Sequence, residues 1–283
     1  MKKYIFITAI FIIRIIYVSA QEYKVPVSNT KDGKLIIEDF KGDLPVQGYD
    51  GNEIIITGMG DKEDYSPPAR AKGLKPLYGR GIDNTGIGIS IEKDGNQVKI
   101  TCLMPITKPS EYKIKVPNNF AVKIESGCEN SSEITVQDIK NEVEVKNCQS
   151  ITIKNVTGSL VLNTISGNIS VDKCAASADQ TISLATVSGD ISIVFSEFNT
   201  KNPVSITTIS GELDVTLAPK AATSLKMKSI SGELYSDFDL TIVAKGAKMK
   251  HYGGNLANYS LNGGGTEMSL SSISGNVYLR KGK

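Results

Sequence analysis

The feature that most limits what this chain can fold into is a short phrase repeated at a nearly fixed interval. Glycines stand at Gly167, Gly189, Gly211, Gly232, Gly254 and Gly275, spaced 22, 22, 21, 22 and 21 residues apart. Five of them share one setting: Ile165-Ser-Gly-Asn-Ile169, Val187-Ser-Gly-Asp-Ile191, Ile209-Ser-Gly-Glu-Leu213, Ile230-Ser-Gly-Glu-Leu234 and Ile273-Ser-Gly-Asn-Val277. A period of this size marks a stack of like units, each too small to bury an apolar face alone.

The columns within the repeat specify the unit. Two residues after each glycine stand Ile169, Ile191, Leu213, Leu234, Leu256 and Val277. Ahead of the glycines run Leu160, Ile182, Val204, Leu225, Ala247 and Met268, and two residues on come Leu162, Leu184, Ile206, Met227, Met249 and Leu270. Ser, Thr, Lys and Asp fall between them, so the period is two and each strand has one buried face. Stacked about 4.8 Å apart, each column becomes a ladder of like side chains lining one core. The expected fold is an all-β solenoid, similar to a single-stranded β-helix. Its nine-residue half-rungs begin near Val122 and lengthen to 21–22-residue rungs after Val171. The six glycines are its structural corners, where a bend needs positive φ or close backbone approach.

The 283 residues divide into three parts. Residues 1–20 read as a secretory signal: Met1-Lys2-Lys3, an apolar run from Tyr4 to Val18, and small residues at Val18-Ser-Ala20 that leave Gln21 as the new terminus. Arg14 interrupts the run, which is short for a membrane span, and no second apolar run follows, so no transmembrane segment is expected after cleavage. Residues 21–119 form an N-terminal β region and 120–283 the repeat region. Cleavage removes Lys2, Lys3 and Arg14, so the mature chain has 32 − 3 = 29 basic against 30 acidic groups, a net charge of −1. Without a basic excess, and with no Trp at all, nucleic acid is not an expected partner.

In the N-terminal region, Lys34-Leu-Ile-Ile37 and Glu53-Ile-Ile-Ile-Thr57 are short strands between glycine turns, either first rungs or a cap on the solenoid edge. Further strands are expected at Ile87–Ile91, Gln97–Cys102 and Tyr112–Val116, the first two joined by an Asp94-Gly95 hairpin. Between them, residues 61–86 break the rhythm with Pro67-Pro68 and a glycine-rich run, leaving room for one helical turn at Ala69–Lys72. An irregular segment of this length is the natural place for recognition, and Arg70, Lys72, Lys75, Tyr78, Arg80, Asp83 and Asn84 are its candidate ligand-binding residues. The structural alternative is a plug, with Leu74, Leu77 and Ile82 packed on the solenoid end.

Four cysteines in an exported chain invite a disulfide reading. At nine-residue spacing Ile139, Cys148, Val156, Ile165 and Cys174 share an inward position, and Cys102 alternates with Val98 and Ile100, which suits thiols packed as small hydrophobes. The alternative is a bridge between Cys128 and Cys148, about one rung apart. The lone His251 supplies no metal site, and no cofactor is expected.

These residues resemble the adhesin-like, toast-rack family of bacterial envelope proteins, as found in Bacteroidetes. The likeness rests on Val25-Pro-Val, Leu35-Ile-Ile-Glu, Gly48-Tyr-Asp-Gly, Glu53-Ile-Ile-Ile, Gly73-Leu-Lys-Pro, Asp83-Asn-Thr-Gly-Ile-Gly88 and the Ser-Gly series. It implies an exported all-β repeat domain and brings no catalytic residues.

No nucleophile elbow, zinc-binding His pair, phosphate loop or dinucleotide fingerprint occurs. Asn262-Gly-Gly-Gly-Thr-Glu267 resembles a calcium turn but lacks the spaced aspartate, and reads as a tight turn. Asp190, Glu212 and Glu233 follow successive glycines, with Asn168 and Asn276 in the same column. They read as solvated corner residues rather than as a cation or sugar site. The function that the resemblance implies is a non-enzymatic cell-envelope module, periplasmic or surface-exposed, that binds an envelope protein or surface polymer. The alternatives are an envelope-stress sensing or accessory domain acting with a membrane partner, and a β-helical polysaccharide-acting enzyme.

Overall fold

A computed structural model describes residues 21–59, 69–74, 77–79, 81–103, 111–129, 131–243 and 255–282. The signal segment, Lys75, Arg80, His251 and Gly254 lie outside them, as does much of 61–86.

The chain is a β-solenoid-like stack built from two long, mainly parallel sheets. From one edge to the other, the eleven-stranded sheet runs Gln21–Pro26, Glu53–Met59, Glu111–Pro117, Gly42–Tyr49, Ser131–Gln137, Ile151–Lys154, Ile169–Ala176, Ile191–Phe198, Leu213–Leu217, Val277–Lys281 and Leu234–Ser236. The twelve-stranded sheet runs in the reverse sense, Thr241–Ile242, Asn255–Leu261, Thr223–Ser229, Glu267–Ser274, Val204–Ser210, Ile182–Ser188, Leu160–Thr164, Val143–Lys146, Ala121–Glu125, Lys34–Glu38, Gln97–Cys102 and Ile89–Asp94. A short strand pair, Leu77–Tyr78 with Gly81–Ile82, stands apart. The strands on either side of residue 120 thus belong to the same two sheets.

Alternation in the sequence becomes burial in the stack. Val98, Leu35, Val122, Val143, Leu160, Ile182, Val204, Met268 and Leu225 form one ladder across the twelve-stranded sheet, and all are buried. Ile114, Val46, Val136, Ile153, Val171, Ile193, Val215 and Leu279 face them from the other sheet. One continuous core lies between the two. Antiparallel strands close most of the ends: Gln21–Pro26 and Glu53–Met59 on one sheet, Ile89–Asp94 at the hairpin turned by Gly95, and Asn255–Leu261 on Thr223–Ser229. They leave less parallel edge open to another chain.

The order of the stack is not the order of the chain, and two sequence expectations need correction. The final coil, Glu267–Ser274 with Val277–Lys281, is not the end of the stack. It lies between the coil of Val204–Ser210 and Leu213–Leu217 and the coil of Thr223–Ser229 and Leu234–Ser236. The N-terminal end repeats the arrangement, with Lys34–Glu38 and Gly42–Tyr49 held between the coils of 97–117 and 121–137. The second half of the expected rung at Gly254 is also not formed, because Asn255–Leu261 turns back antiparallel to Thr223–Ser229 and sets Leu256 opposite Lys228, while Ala247 and Met249 lie outside the described residues. Finally, Ile165 is half exposed rather than inward.

Candidate functional site

Each repeat passes from one sheet to the other through a corner of the pattern Thr/Ser, Ile/Val, Ser, Gly, Asn/Asp/Glu, apolar. Nearly every position has a structural reason. The first is a buried hydroxyl that donates to the carbonyl of the neighbouring coil's corner: Thr186 Oγ1 to Gly167 O (3.1 Å), Thr208 Oγ1 to Gly189 O (3.0 Å), Ser272 Oγ to Gly211 O (3.0 Å) and Ser229 Oγ to Gly275 O (2.7 Å). Without that donor a buried carbonyl would be left with one fewer partner, at a cost of about 1–3 kcal/mol. The glycine is required by close approach. A Cβ on Gly189 would fall 2.2 Å from Gly167 O, and on Gly275 1.9 Å from Gly211 O.

The residue after the glycine builds a second ladder by accepting the next coil's backbone N–H. Asn168 Oδ1 accepts from Asp190 N (2.9 Å), Asp190 Oδ1 from Glu212 N (2.8 Å) and Asn276 Oδ1 from Glu233 N (2.9 Å). Glu212 Oε1 accepts from Asn276 Nδ2 (3.0 Å) and Tyr278 OH (3.2 Å), and Glu233 Oε2 from Tyr235 OH (2.6 Å). The hydrogen bond to Glu233, reinforced by its charge, pushes the Tyr235 phenol up. The acid column therefore has a structural use that asparagine can also serve.

One position is left without such a reason. Ile165, Val187, Ile209, Ile273 and Ile230 are aligned on successive coils and are 50, 46, 44, 42 and 43% exposed. Threonine there would keep every hydrogen bond of the corner. Five coils about 4.8 Å apart make an aliphatic stripe about 19 Å long. Its exposed area, on the order of 400 Å², is in the range of a functional patch rather than of scattered surface residues. The small serines and glycines form a low floor between this stripe and the polar column. Cys148 occupies the place of Ile165 one coil earlier, since Ser166 N bonds to Cys148 O as Ser188 N bonds to Ile165 O. There it forms a disulfide with Cys128, Cα atoms 5.1 Å apart, so the bridge terminates the stripe. Cys148 is thus not a packed thiol, whereas Cys102 and Cys174 are buried and outside any disulfide, and burial pushes the Cys174 thiol up to about 12.

Beyond the disulfide the surface changes character. Glu38 and Glu125 lie side by side in register, and lysines offset their repulsion. Lys99 reaches Glu38 (3.0 Å), Lys123 bridges Glu125 (3.0 Å) and Glu144 (3.4 Å), and Lys146 bridges the same two acids (3.1 and 3.5 Å). Hydrogen bonds from Lys123 and Lys146 hold the Glu125 carboxyl below its usual range. By contrast, Asp190, Glu212 and Glu233 have no lysine or arginine partner among the described residues. No group of three His, Cys, Asp or Glu among the described residues is arranged to hold a metal.

Of the ligand residues expected in the 61–86 segment, the side chains of Arg70, Lys72, Asp83 and Asn84 are described. Arg70 and Lys72 are exposed at a single 3₁₀ turn, Ala69–Ala71. Tyr78 lies on the short Leu77–Tyr78 strand, and Lys75 and Arg80 are outside the described residues. Asp83 is buried and accepts four hydrogen bonds, from Thr85 N, Thr85 Oγ1, Gly86 N and Gly88 N (2.8–3.0 Å). Asn84 pairs with the backbone of Ile91 at both N–H and C=O (2.9 and 2.8 Å), capping the edge strand. Both side chains organise the loop. Leu74 and Ile82, at 71 and 50% exposed, do not plug the core. The aliphatic stripe was missed because its residues were taken only as part of the glycine phrase. The signal that could have found it was their apolar identity at an odd position, between the buried hydroxyl and the serine.

Two coil-forming sheets, a glycine-tight corner and an exposed ladder beside it define a two-sheet parallel β-solenoid. The chain belongs to the Toastrack DUF4097 family, whose model matches residues 13–280. Among solved structures it is similar to a candidate cell adhesion protein of Clostridium sporogenes, at 12% identity over 93% of this chain and 100% of that one, with a TM-score of 0.35. A candidate adhesin of Bacteroides fragilis has 13% identity over 93 and 97% of the two chains and a TM-score of 0.40. A candidate lipid-binding protein of Parabacteroides distasonis has 15% identity over 93 and 96% and a TM-score of 0.37. No curated protein matches the chain.

Proposed function

We propose that this protein is an exported, non-enzymatic cell-envelope module that binds or scaffolds another envelope component through its Ser-Gly edge. The observation that carries this reading is the stripe of Ile165, Val187, Ile209, Ile273 and Ile230, the one element of the repeated corner for which the fold supplies no need. A rigid stack holding five aliphatic side chains in line offers contact area at little cost in ordering. The disulfide between Cys128 and Cys148 supports an oxidising compartment, in keeping with the signal-like first twenty residues. Arg70 and Lys72 supply an accessory contact, being the exposed cations of the 61–86 segment among the described residues.

The test compares the mature chain, Gln21 to Lys283, with a variant carrying Val187→Thr, Ile209→Thr and Ile273→Thr. Threonine keeps the β-branched shape, so the variant should fold and melt within about 2 °C of the parent. Immobilised parent should retain one envelope protein or surface polymer that the variant releases. Equal retention by a folded variant would refute the stripe as the binding surface.

A further inference from the structure

The two columns flanking the Ser-Gly floor differ in chemistry, and the pair describes what would fit between them. On one side stand the five aliphatic side chains. On the other stand Asn168, Asp190, Glu212, Asn276 and Glu233 in the same coil order. Some surface acids elsewhere carry a cation, Asp214 with Arg280 at 2.8 Å and Glu267 with Lys226 at 2.5 Å. The three acids of this edge are unmatched among the described residues, although their column tolerates neutral asparagine at two places. Within the corner phrases themselves there is no lysine or arginine, and Lys228 stands only at the last coil.

We infer that the edge takes a basic amphipathic helix of a partner protein, an inference that rests on the stripe being the binding surface. A helix has a pitch of 5.4 Å, close to the coil spacing of about 4.8 Å, so its apolar stripe meets the aliphatic column rung by rung. About 13 residues, three to four turns, cover the 19 Å of the stripe. The small floor lets the helix settle between the columns. Lysines or arginines along one flank then meet Asp190, Glu212 and Glu233, which fixes direction and register as well as charge. A second copy of this chain is disfavoured, because pairing the edges would bring acid column near acid column. An anionic membrane is disfavoured for the same reason.

The probe is a 14-residue amidated helical peptide with leucines on one stripe and lysines on one flank, set against the same peptide with glutamates for lysines. Binding is read by fluorescence anisotropy at low and moderate salt, on the parent, the threonine variant above, and a variant carrying Asp190→Asn, Glu212→Gln and Glu233→Gln. The amide variant should fold, since asparagine already serves the same ladder at Asn168 and Asn276. The lysine peptide should bind the parent, weaken at least tenfold on either variant, and weaken with salt on the parent more than on the amide variant. The glutamate peptide should not bind. Equal binding of both peptides, or unchanged binding on either variant, would overturn the helix inference. So would stripe-dependent binding to phosphatidylglycerol vesicles without peptide binding, or stripe-dependent dimerisation of the parent in sedimentation. If the threonine variant loses its envelope partner while no peptide binds, the helix inference falls and the stripe reading stands. If that partner is retained, the stripe reading falls as well.

Discussion

Replacing Gly189 by alanine tests the claim that the corner glycines are set by contact between coils rather than by chain flexibility. The new Cβ would lie 2.2 Å from Gly167 O and 2.6 Å from Gly167 C, with Asn168 Oδ1 at 3.1 Å. Ordinary contact needs more than an ångström of extra room, and the obstacle is backbone on both sides. Making that room strains three bonds at once: Gly189 N to Ser210 O (3.0 Å), Asp190 N to Asn168 Oδ1 (2.9 Å) and Thr186 Oγ1 to Gly167 O (3.1 Å). The bonds are weakened rather than broken, so at about 0.4 kcal/mol for each, and with overpacking itself at about 2 kcal/mol, the loss is roughly 3 kcal/mol. Reduced freedom of the unfolded chain returns about 0.4–1 kcal/mol, leaving roughly 2 kcal/mol or a little more. Gly127 is the control, because a Cβ there meets nothing within 4 Å. Urea unfolding followed by circular dichroism should show Gly189→Ala less stable by about that amount, and a melting point lower by about 4–8 °C. Gly127→Ala should be neutral or slightly stabilising. Two variants alike within about 0.5 kcal/mol would refute the contact argument.

Removing the bridge with Cys128→Ser, which opens a cross-link between residues 20 apart in sequence, should lower stability by about 3 kcal/mol, and reductant should lower the parent but not the variant. Thiol titration of the native parent should find Cys102 and Cys174 unreactive until the chain unfolds. Asp83→Asn keeps one acceptor but turns an NH₂ towards N–H donors, so the 83–91 loop should become cleavable by protease, with a loss of about 2 kcal/mol locally. The Glu125 carboxyl is held below its reference value of 4.5, so its pairing with Lys123 and Lys146 is fully present above that pH and is lost as pH falls through the lower folded value. Glu125→Gln should flatten the acid limb of stability by about 0.5 kcal/mol or less, given the exposure of the three side chains, and less again in high salt.

Much of the fold was legible because a two-residue alternation repeated at a fixed period leaves few choices. Leu160, Ile182 and Val204 could be aligned from their spacing alone, and the structure pairs them. The order of the stack was not legible at its ends. Met268 meets both Val204 and Leu225, and each coil offers the same apolar pair and the same corner, so nothing local says which neighbour a coil selects. Gly254 kept the period while Asn255–Leu261 left it, because an antiparallel partner reads as much the same alternation as a parallel one. Cys148 and Ile165 were correctly set as equivalents, but on an edge rather than in the core, since a half-buried aliphatic at a bend looks like any core residue in sequence. The loop bonds of Asp83 and Asn84 were not legible either, because polar side chains in a glycine-rich run serve loop backbone and ligands alike.

Placing the last coil second from the end also changes how the molecule meets mechanical load. A solenoid that finished on its own terminal strand would unzip from that end, one hydrogen bond at a time. Here a pull on the C-terminus acts along Val277–Lys281, which is paired on one side with Leu213–Leu217 and on the other with Leu234–Ser236. Force must slide that strand past two neighbours together, in shear. Towards the N-terminus Gln21–Pro26 has one neighbour among the described residues and peels first, after which the load reaches Lys34–Glu38, clamped between Gln97–Cys102 and Ala121–Glu125. The chain is thus fastened near both ends like a belt passed back through its buckle.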